Sequence, residues 1–221
     1  MKKVILINII LLSFFLPIVI SSCQDSHAKK DEMKNTELSS VEKQNITGKE
    51  ATTENESKND ITRWNTDAAK AQITFVVKGP FGKVHGKLSG LTSIIRFDEN
   101  NPAASSIQAR VDPKTISTGI KLRNRDLQKE KYLDTDNHPL VSFHSEKIQK
   151  HGAGYTAIGN LTLKGITKRV EIPFNFIEKG NSGVFKGSFT IQRQNFGVGK
   201  KGGSIGNDVV ITLEVPATKS K

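Results

Sequence analysis

From residue 61 onward the chain predicts an all-β fold of antiparallel strands, a sandwich or a barrel. Three observations carry it. First, apolar and polar residues alternate with period two in run after run. In GNLTLKGITKRVEIPFNF, residues 159–176, Leu161 and Leu163 share one side of the first run, and Val170, Ile172, Phe174 and Phe176 share one side of the second. Second, nine such runs follow at short spacing: 71–78, 83–91, 93–98, 105–112, 140–149, 154–164, 168–178, 183–192 and 208–216. Third, Gly, Asn, Pro or Asp separates most of them, as hairpin turns require.

One segment departs from the pattern. Between Thr118 and His138 alternation is lost, and Leu122, Leu127 and Tyr132 stand near helical spacing with charges between them. This predicts a single helix or helical loop packed against the sheet. It is ended by Asp136-Asn137-His138-Pro139, where the residue before proline is forced back to extended geometry.

The first sixty residues read differently. Lys2 and Lys3 precede an apolar run, residues 4–20, that is broken by Pro17 and short for a membrane span, so residues 1–22 are expected to be a secretory signal. The sole cysteine, Cys23, ends it, which rules out an intramolecular disulfide. Ile20-Ser21-Ser22-Cys23 resembles a bacterial lipobox, and that resemblance implies that the signal is removed and that Cys23 is acylated, by palmitate among other chains. Two or three chains anchor a protein stably where one does not. Gln24 in place of Asp resembles a signal for onward sorting to the outer membrane. Residues 24–60 are rich in Lys, Glu, Asn, Ser and Thr and too poor in large apolar residues to offset chain entropy, so a disordered tether is expected there.

Charge is divided unevenly within the formal total of +11. Residues 24–60 hold six basic against nine acidic residues, and residues 61–221 hold 25 against 13. A basic domain on a mildly acidic tether could meet anionic head groups or nucleic acid. The basic residues are scattered singly along the strands without interleaved aromatics, so nucleic acid is not an expected partner, and a solvated surface of strand-facing Lys is the expected reading of the charge.

Catalytic chemistry finds few groups. His85, His138, His144 and His151 form no close ligand spacing, His27 lies in the tether, and no second cysteine joins them, so no metal site and no cofactor are expected. No G-x-S-x-G elbow occurs, and Asp134 with Asp136 suits a turn as well as acid–base work. The run GVGKKGGSIGN, residues 197–207, lacks the order of a phosphate loop and reads as a mobile hairpin. What remains is the apolar rows: Ile73, Phe75 and Val77; Val141 and Phe143; Phe185, Phe189 and Ile191; Val209, Ile211, Leu213 and Val215. Phe fills space without needing a hydrogen-bond partner, which suits a dry core or a pocket for hydrocarbon.

A series of motifs resembles the YceI-like family in order and spacing over residues 62–215. It comprises Trp64, Phe75, Val84-x-Gly86, Ile116-x-Thr118-Gly119, Leu122-Arg123-Asn124, His138-Pro139, Ser142-Phe143-x-Ser145, Gly159-x-Leu161-Thr162-x-x-Gly165-Ile166-Thr167 and Arg193-x-x-Phe196-Gly197-Val198-Gly199. The resemblance implies an eight-stranded antiparallel, lipocalin-like barrel with one short helix, so two short neighbours among the nine runs should form one bent strand. It also implies a cavity for a polyisoprenoid, an isoprenoid quinone or a fatty-acid derivative. Phe75, Phe143, Leu161, Leu163, Phe174, Phe176 and Phe189 are the residues expected along the hydrocarbon. Arg123 and Asn124 either bind a head-group phosphate or carbonyl, or cap the helix and fix the loop. Where the family commonly has His, this chain has Asp126. The function implied is non-enzymatic binding, transport or sequestration of such a lipid; the alternative is a structural module of the envelope with a closed barrel. Expected partners are the lipid, the membrane through acylated Cys23, and a second copy of the chain in a homodimer. The expected location is the cell envelope, at the outer membrane on its periplasmic or surface face.

Overall fold

The structure is a computed structural model and describes residues 61–220, which belong to one compact unit. The expected signal, the lipidation site Cys23 and the tether lie outside the described residues.

Among the described residues ten strands are formed: β1 (Arg63–Thr66), β2 (Gln72–Gly79), β3 (Gly82–Leu88), β4 (Thr92–Arg96), β5 (Ser106–Val111), β6 (Val141–His151), β7 (Gly154–Leu163), β8 (Ile166–Lys179), β9 (Ser182–Gln192) and β10 (Asp208–Lys219). One α-helix, α1 (Lys121–Gln128), lies between β5 and β6. All pairings are antiparallel.

β10 closes the barrel by pairing twice on the same side. Its first half pairs with β2, Val209 opposite Val77, and its last residues pair with β1, Lys219 opposite Trp64. β1 and β2 are therefore two halves of one strand, bent at residues 67–71, where Asp67 Oδ1 accepts from the amides of Ala69 and Lys70. β3 and β4 are likewise one strand bent at residues 89–91, since β3 pairs with β2 while β4 pairs with β1 and β5. Two bends, rather than the single one expected, reduce ten segments to eight strands. A barrel of eight strands leaves an interior that side chains can fill or that can hold one slender ligand.

The two ends are built differently. At the end holding the β6–β7 and β8–β9 hairpins, Trp64, Phe97, Tyr155, Phe174, Phe176 and Phe185 pack ring against ring, with centroid separations from 4.4 Å (Phe176–Phe185) to 6.1 Å. Most pairs are edge-to-face, the arrangement the ring quadrupole favours. Trp64 Nε1 donates to the Phe97 carbonyl at 3.3 Å, so the indole is buried with its one polar atom satisfied. Gly183 is required there: a β-carbon would collide with the Phe176 ring and lie 3.0 Å from Trp64. At the opposite end the strands open onto the β2–β3 turn, the β7–β8 turn, α1 and residues 193–207.

Candidate functional site

Inward rows of the strands leave a cavity of about 570 Å³, lined almost wholly by apolar atoms. Its floor is shared with the aromatic cluster through Phe174 and Phe185. Its walls are the period-two rows: Ile73, Phe75 and Val77 from β2, Phe143 from β6, Leu161 and Leu163 from β7, Phe189 from β9, and Val209, Ile211 and Leu213 from β10. Phe75 lies across Gly86 of the paired strand, where any β-carbon would strike its ring, so glycine sets the position of that part of the wall. The lining reaches Pro80, Phe81, Lys83, Arg123, Arg193 and Ile205 at the open end.

Of the residues expected along a ligand, Phe75, Phe143, Leu161, Leu163, Phe174, Phe189 and Arg123 are on this lining. Phe176 is placed elsewhere. It shares the side of β8 with Phe174 but lies two residues nearer the plugged end, against Trp64 and Phe185. Asn124 is also off the lining. Its Oδ1 accepts from the Thr118 amide at 2.9 Å and from Thr118 Oγ1 at 2.6 Å. Arg123 donates from Nε to Thr118 Oγ1 and from Nη2 to the Thr118 carbonyl, both at 2.8 Å. Thr118, Arg123 and Asn124 thus form a local staple that fixes the start of α1. Asp126, on the same helix, pairs with Lys129 at 2.7 Å. That ammonium lowers its pKa.

The helical segment packs against the barrel less completely than its spacing suggested. Leu127 and Tyr132 reach the cavity, whereas Leu122 is 62% exposed. α1 is only two turns long, so Tyr132 lies beyond it and the expected stripe is not continuous. Ile116, Leu133, Val198 and Ile205 also line the cavity and were not among the expected ligand residues. They sit in loops, which have no period to read.

Residues 193–207 form a pinned loop, not the expected hairpin. It opens with a 3-10 turn, Arg193–Phe196. Arg193 is buried, yet its guanidinium meets carbonyls: Nη1 donates to Val198 at 2.6 Å, Nε to Gly206 at 2.8 Å and Nη2 to Ile205 at 3.0 Å. The loop is folded around one positive charge. Further bonds sew the rim together: Gly206 N to the Lys78 carbonyl, Gly199 N to the Lys131 carbonyl, and Lys164 Nζ to the carbonyls of Glu130 and Gly197.

Polar groups elsewhere serve structure. Asp136 pairs with Lys114 at 2.8 Å and Asp134 accepts from Asn137, so both acids hold the turn before β6. His144 and His151 are exposed on β6. Among the described residues no group of three or more His, Cys, Asp or Glu is placed to hold a metal, and no buried side-chain nitrogen or oxygen lacks a hydrogen-bond partner.

The barrel has known counterparts. BcnA of Burkholderia cenocepacia superposes with a TM-score of 0.67 at 26% identity, covering 70% of this chain and 100% of its own. A polyisoprenoid binding domain from Saccharophagus degradans superposes with a TM-score of 0.56 at 14% identity, over 71% of this chain and 98% of its own. In sequence, a UPF0312 protein of Pectobacterium atrosepticum is 26% identical over 166 residues, which is 72% of this chain and 86% of that protein. The model of the YceI-like domain matches residues 64–217, nearly the entire barrel, and this chain belongs to the YceI-like family.

Proposed function

We propose that the barrel binds one long-chain apolar lipid, a polyisoprenoid, an isoprenoid quinone or a fatty-acid derivative, and that it carries or sequesters it in the cell envelope without chemical change. The observation that carries this reading is the apolar cavity of about 570 Å³, which runs from the aromatic cluster at Phe174 and Phe185 to the rim segments at the opposite end. Its size lies within the range of about 300 to 1,000 Å³ usual for ligand pockets. The Phe rings fill one end of the barrel and leave the rest free, which disfavours the alternative of a module closed by its own side chains. The binding named for the Saccharophagus domain, on the same fold, supports the isoprenoid class.

Physical chemistry gives the selectivity its form. A hydrocarbon gains about 0.8 kcal/mol per methylene on leaving water, but the bilayer that competes for it is equally dry. Transfer from bilayer to barrel is then nearly neutral for the tail, so cavity shape and contacts at the head decide preference. At the rim the guanidinium of Arg123 is held by the hydroxyl and carbonyl of Thr118, and among the described residues it has no carboxylate partner. A phosphate or carbonyl head group fits there. Acylation of Cys23, with residues 24–60 as a tether, would keep the barrel beside its lipid source at the outer membrane.

Native mass spectrometry of residues 61–221, purified from cells that make isoprenoid lipids, is expected to show a bound hydrophobic ligand. Ala109 is on the lining, between Ser93 and Phe143 on neighbouring strands. Ala109→Phe should obstruct the cavity and lower the amount of bound ligand while leaving the far-ultraviolet circular dichroism unchanged. A wild-type barrel that is ligand-free and takes up no added polyprenyl lipid would sink the proposal.

A further inference from the structure

The rim of the cavity carries an apolar surface that folding does not explain. At the tip of the β2–β3 hairpin, Gly79-Pro80-Phe81-Gly82, Phe81 is fully exposed at 102%. A two-residue hairpin turn is ordinarily Asn, Asp or Gly, because those residues suit its backbone and water. Phe81 meets neither need and also borders the cavity. Ile120 and Leu122, at the start of α1, are 52% and 62% exposed, and Leu140, entering β6, is 42% exposed. All four lie on segments at the open end.

The same end is strongly basic. Lys78 and Lys83 flank the tip with no acidic residue between 78 and 87, Lys121 and Arg125 lie on α1, and Lys200 and Lys201 lie exposed in the pinned loop. Two of the nearby acids are already neutralised: Asp126 by Lys129 and Asp136 by Lys114. These segments hold a fixed relation to one another. Gly206 of the loop bonds Lys78 of the hairpin, and Lys87 of β3 exchanges two backbone bonds with Ser117 just before α1.

We infer that the open end docks on an anionic phospholipid bilayer, with Phe81 entering the head-group and acyl boundary and the lysines meeting lipid phosphates. An apolar tip inside a cationic ring is the arrangement that partitions into such an interface, by buried apolar area plus attraction to anionic lipid. A second copy of this chain would bring an equal positive charge to the patch and is disfavoured by it. Docking places the cavity mouth on the bilayer, so a ligand need not cross water to enter. The inference goes beyond the lipid-binding proposal and is tested without its ligand.

Residues 61–221 contain the whole closed barrel, and a solved relative matches it over that relative's entire chain, so this segment folds alone and serves as the probe protein. Its sedimentation with vesicles of phosphatidylcholine alone, and of phosphatidylcholine mixed with phosphatidylglycerol, is measured with and without added salt. Binding is expected to the mixed vesicles and to weaken with salt. Phe81→Ser should reduce it at least about tenfold, the equivalent of losing the burial of one Phe side chain. Lys200→Ser combined with Lys201→Ser should reduce it for the anionic vesicles only. Ile177→Ser, at an exposed position near the plugged end, should leave it unchanged. Phe81→Trp should show a blue-shifted emission with mixed vesicles, over a buried Trp64 background that does not change.

Absence of vesicle binding overturns the inference, as does equal loss in Phe81→Ser and Ile177→Ser. A wild-type dimer that Phe81→Ser converts to monomer, with no vesicle binding in either, also overturns it and assigns the patch to self-association. A positive ligand spectrum with no docking, or docking with an empty cavity, separates the fate of this inference from that of the lipid-binding proposal.

Discussion

Tyr155 shows how much one side chain at the plugged end depends on its surroundings. Burial raises its pKa above the ordinary value of 10.0, and Glu99, whose carboxylate accepts its hydroxyl at 3.2 Å, adds to the shift. The folded state therefore keeps the phenolic proton at a pH where the unfolded chain has lost it. That contribution is complete below about pH 10 and disappears as pH rises through the folded pKa. Urea midpoints should accordingly fall on the alkaline side of about pH 10 in the wild type and fall less in Tyr155→Phe. At neutral pH this substitution should cost no more than about 1 kcal/mol, because the lost bond goes to an exposed carboxylate. An identical alkaline decline in both proteins would exclude Tyr155 as its source. The neighbouring Phe176 marks a limit of sequence reading. Alternation along β8 states which side of the sheet a residue faces, and Phe174 and Phe176 share that side. It carries no information on depth along the barrel axis, which is what separates a cavity wall from a plug.

Elements were legible to the extent that they repeat. All nine expected runs coincide with single strands or with halves of bent ones within a few residues; 83–91 and 93–98 are β3 and β4, the two halves of one bent strand. β1 was not legible: four residues, RWNT, are too short for a period, and the strand exists because β10 and β4 offer it two edges. α1 was legible as a departure from alternation, and its attachment only as one of the two roles open to Arg123 and Asn124. That attachment is the Thr118 staple, a set of bonds from Arg123 and Asn124 to the backbone and hydroxyl of Thr118 that no periodicity announces. Thr118→Val should leave Arg123 and Asn124 without their shared hydroxyl and destabilise the segment by about 1 to 3 kcal/mol. Hydrogen exchange should therefore quicken across residues 118–128 while β7 and β8 keep their protection. Faster exchange spread evenly over the barrel would argue against a local staple.

On the scale of the whole molecule, two attachments to a membrane are proposed, and they differ in kind. An anchor of two or three acyl chains on Cys23 would be stable and indifferent to salt, whereas the basic rim would bind reversibly and yield to salt. Cys23→Ser in the full chain should convert the protein from a form that resists salt washing to one that salt releases, with loss of palmitate labelling; unchanged retention after salt would show that Cys23 is not the anchor. The aromatic cluster at the far end has a consequence for traffic. A vessel sealed at its base cannot act as a conduit, with entry at one face and exit at the other. Whatever enters tail-first must leave head-first through the doorway it came by, so donor and acceptor would have to be met in turn by the same face of the barrel.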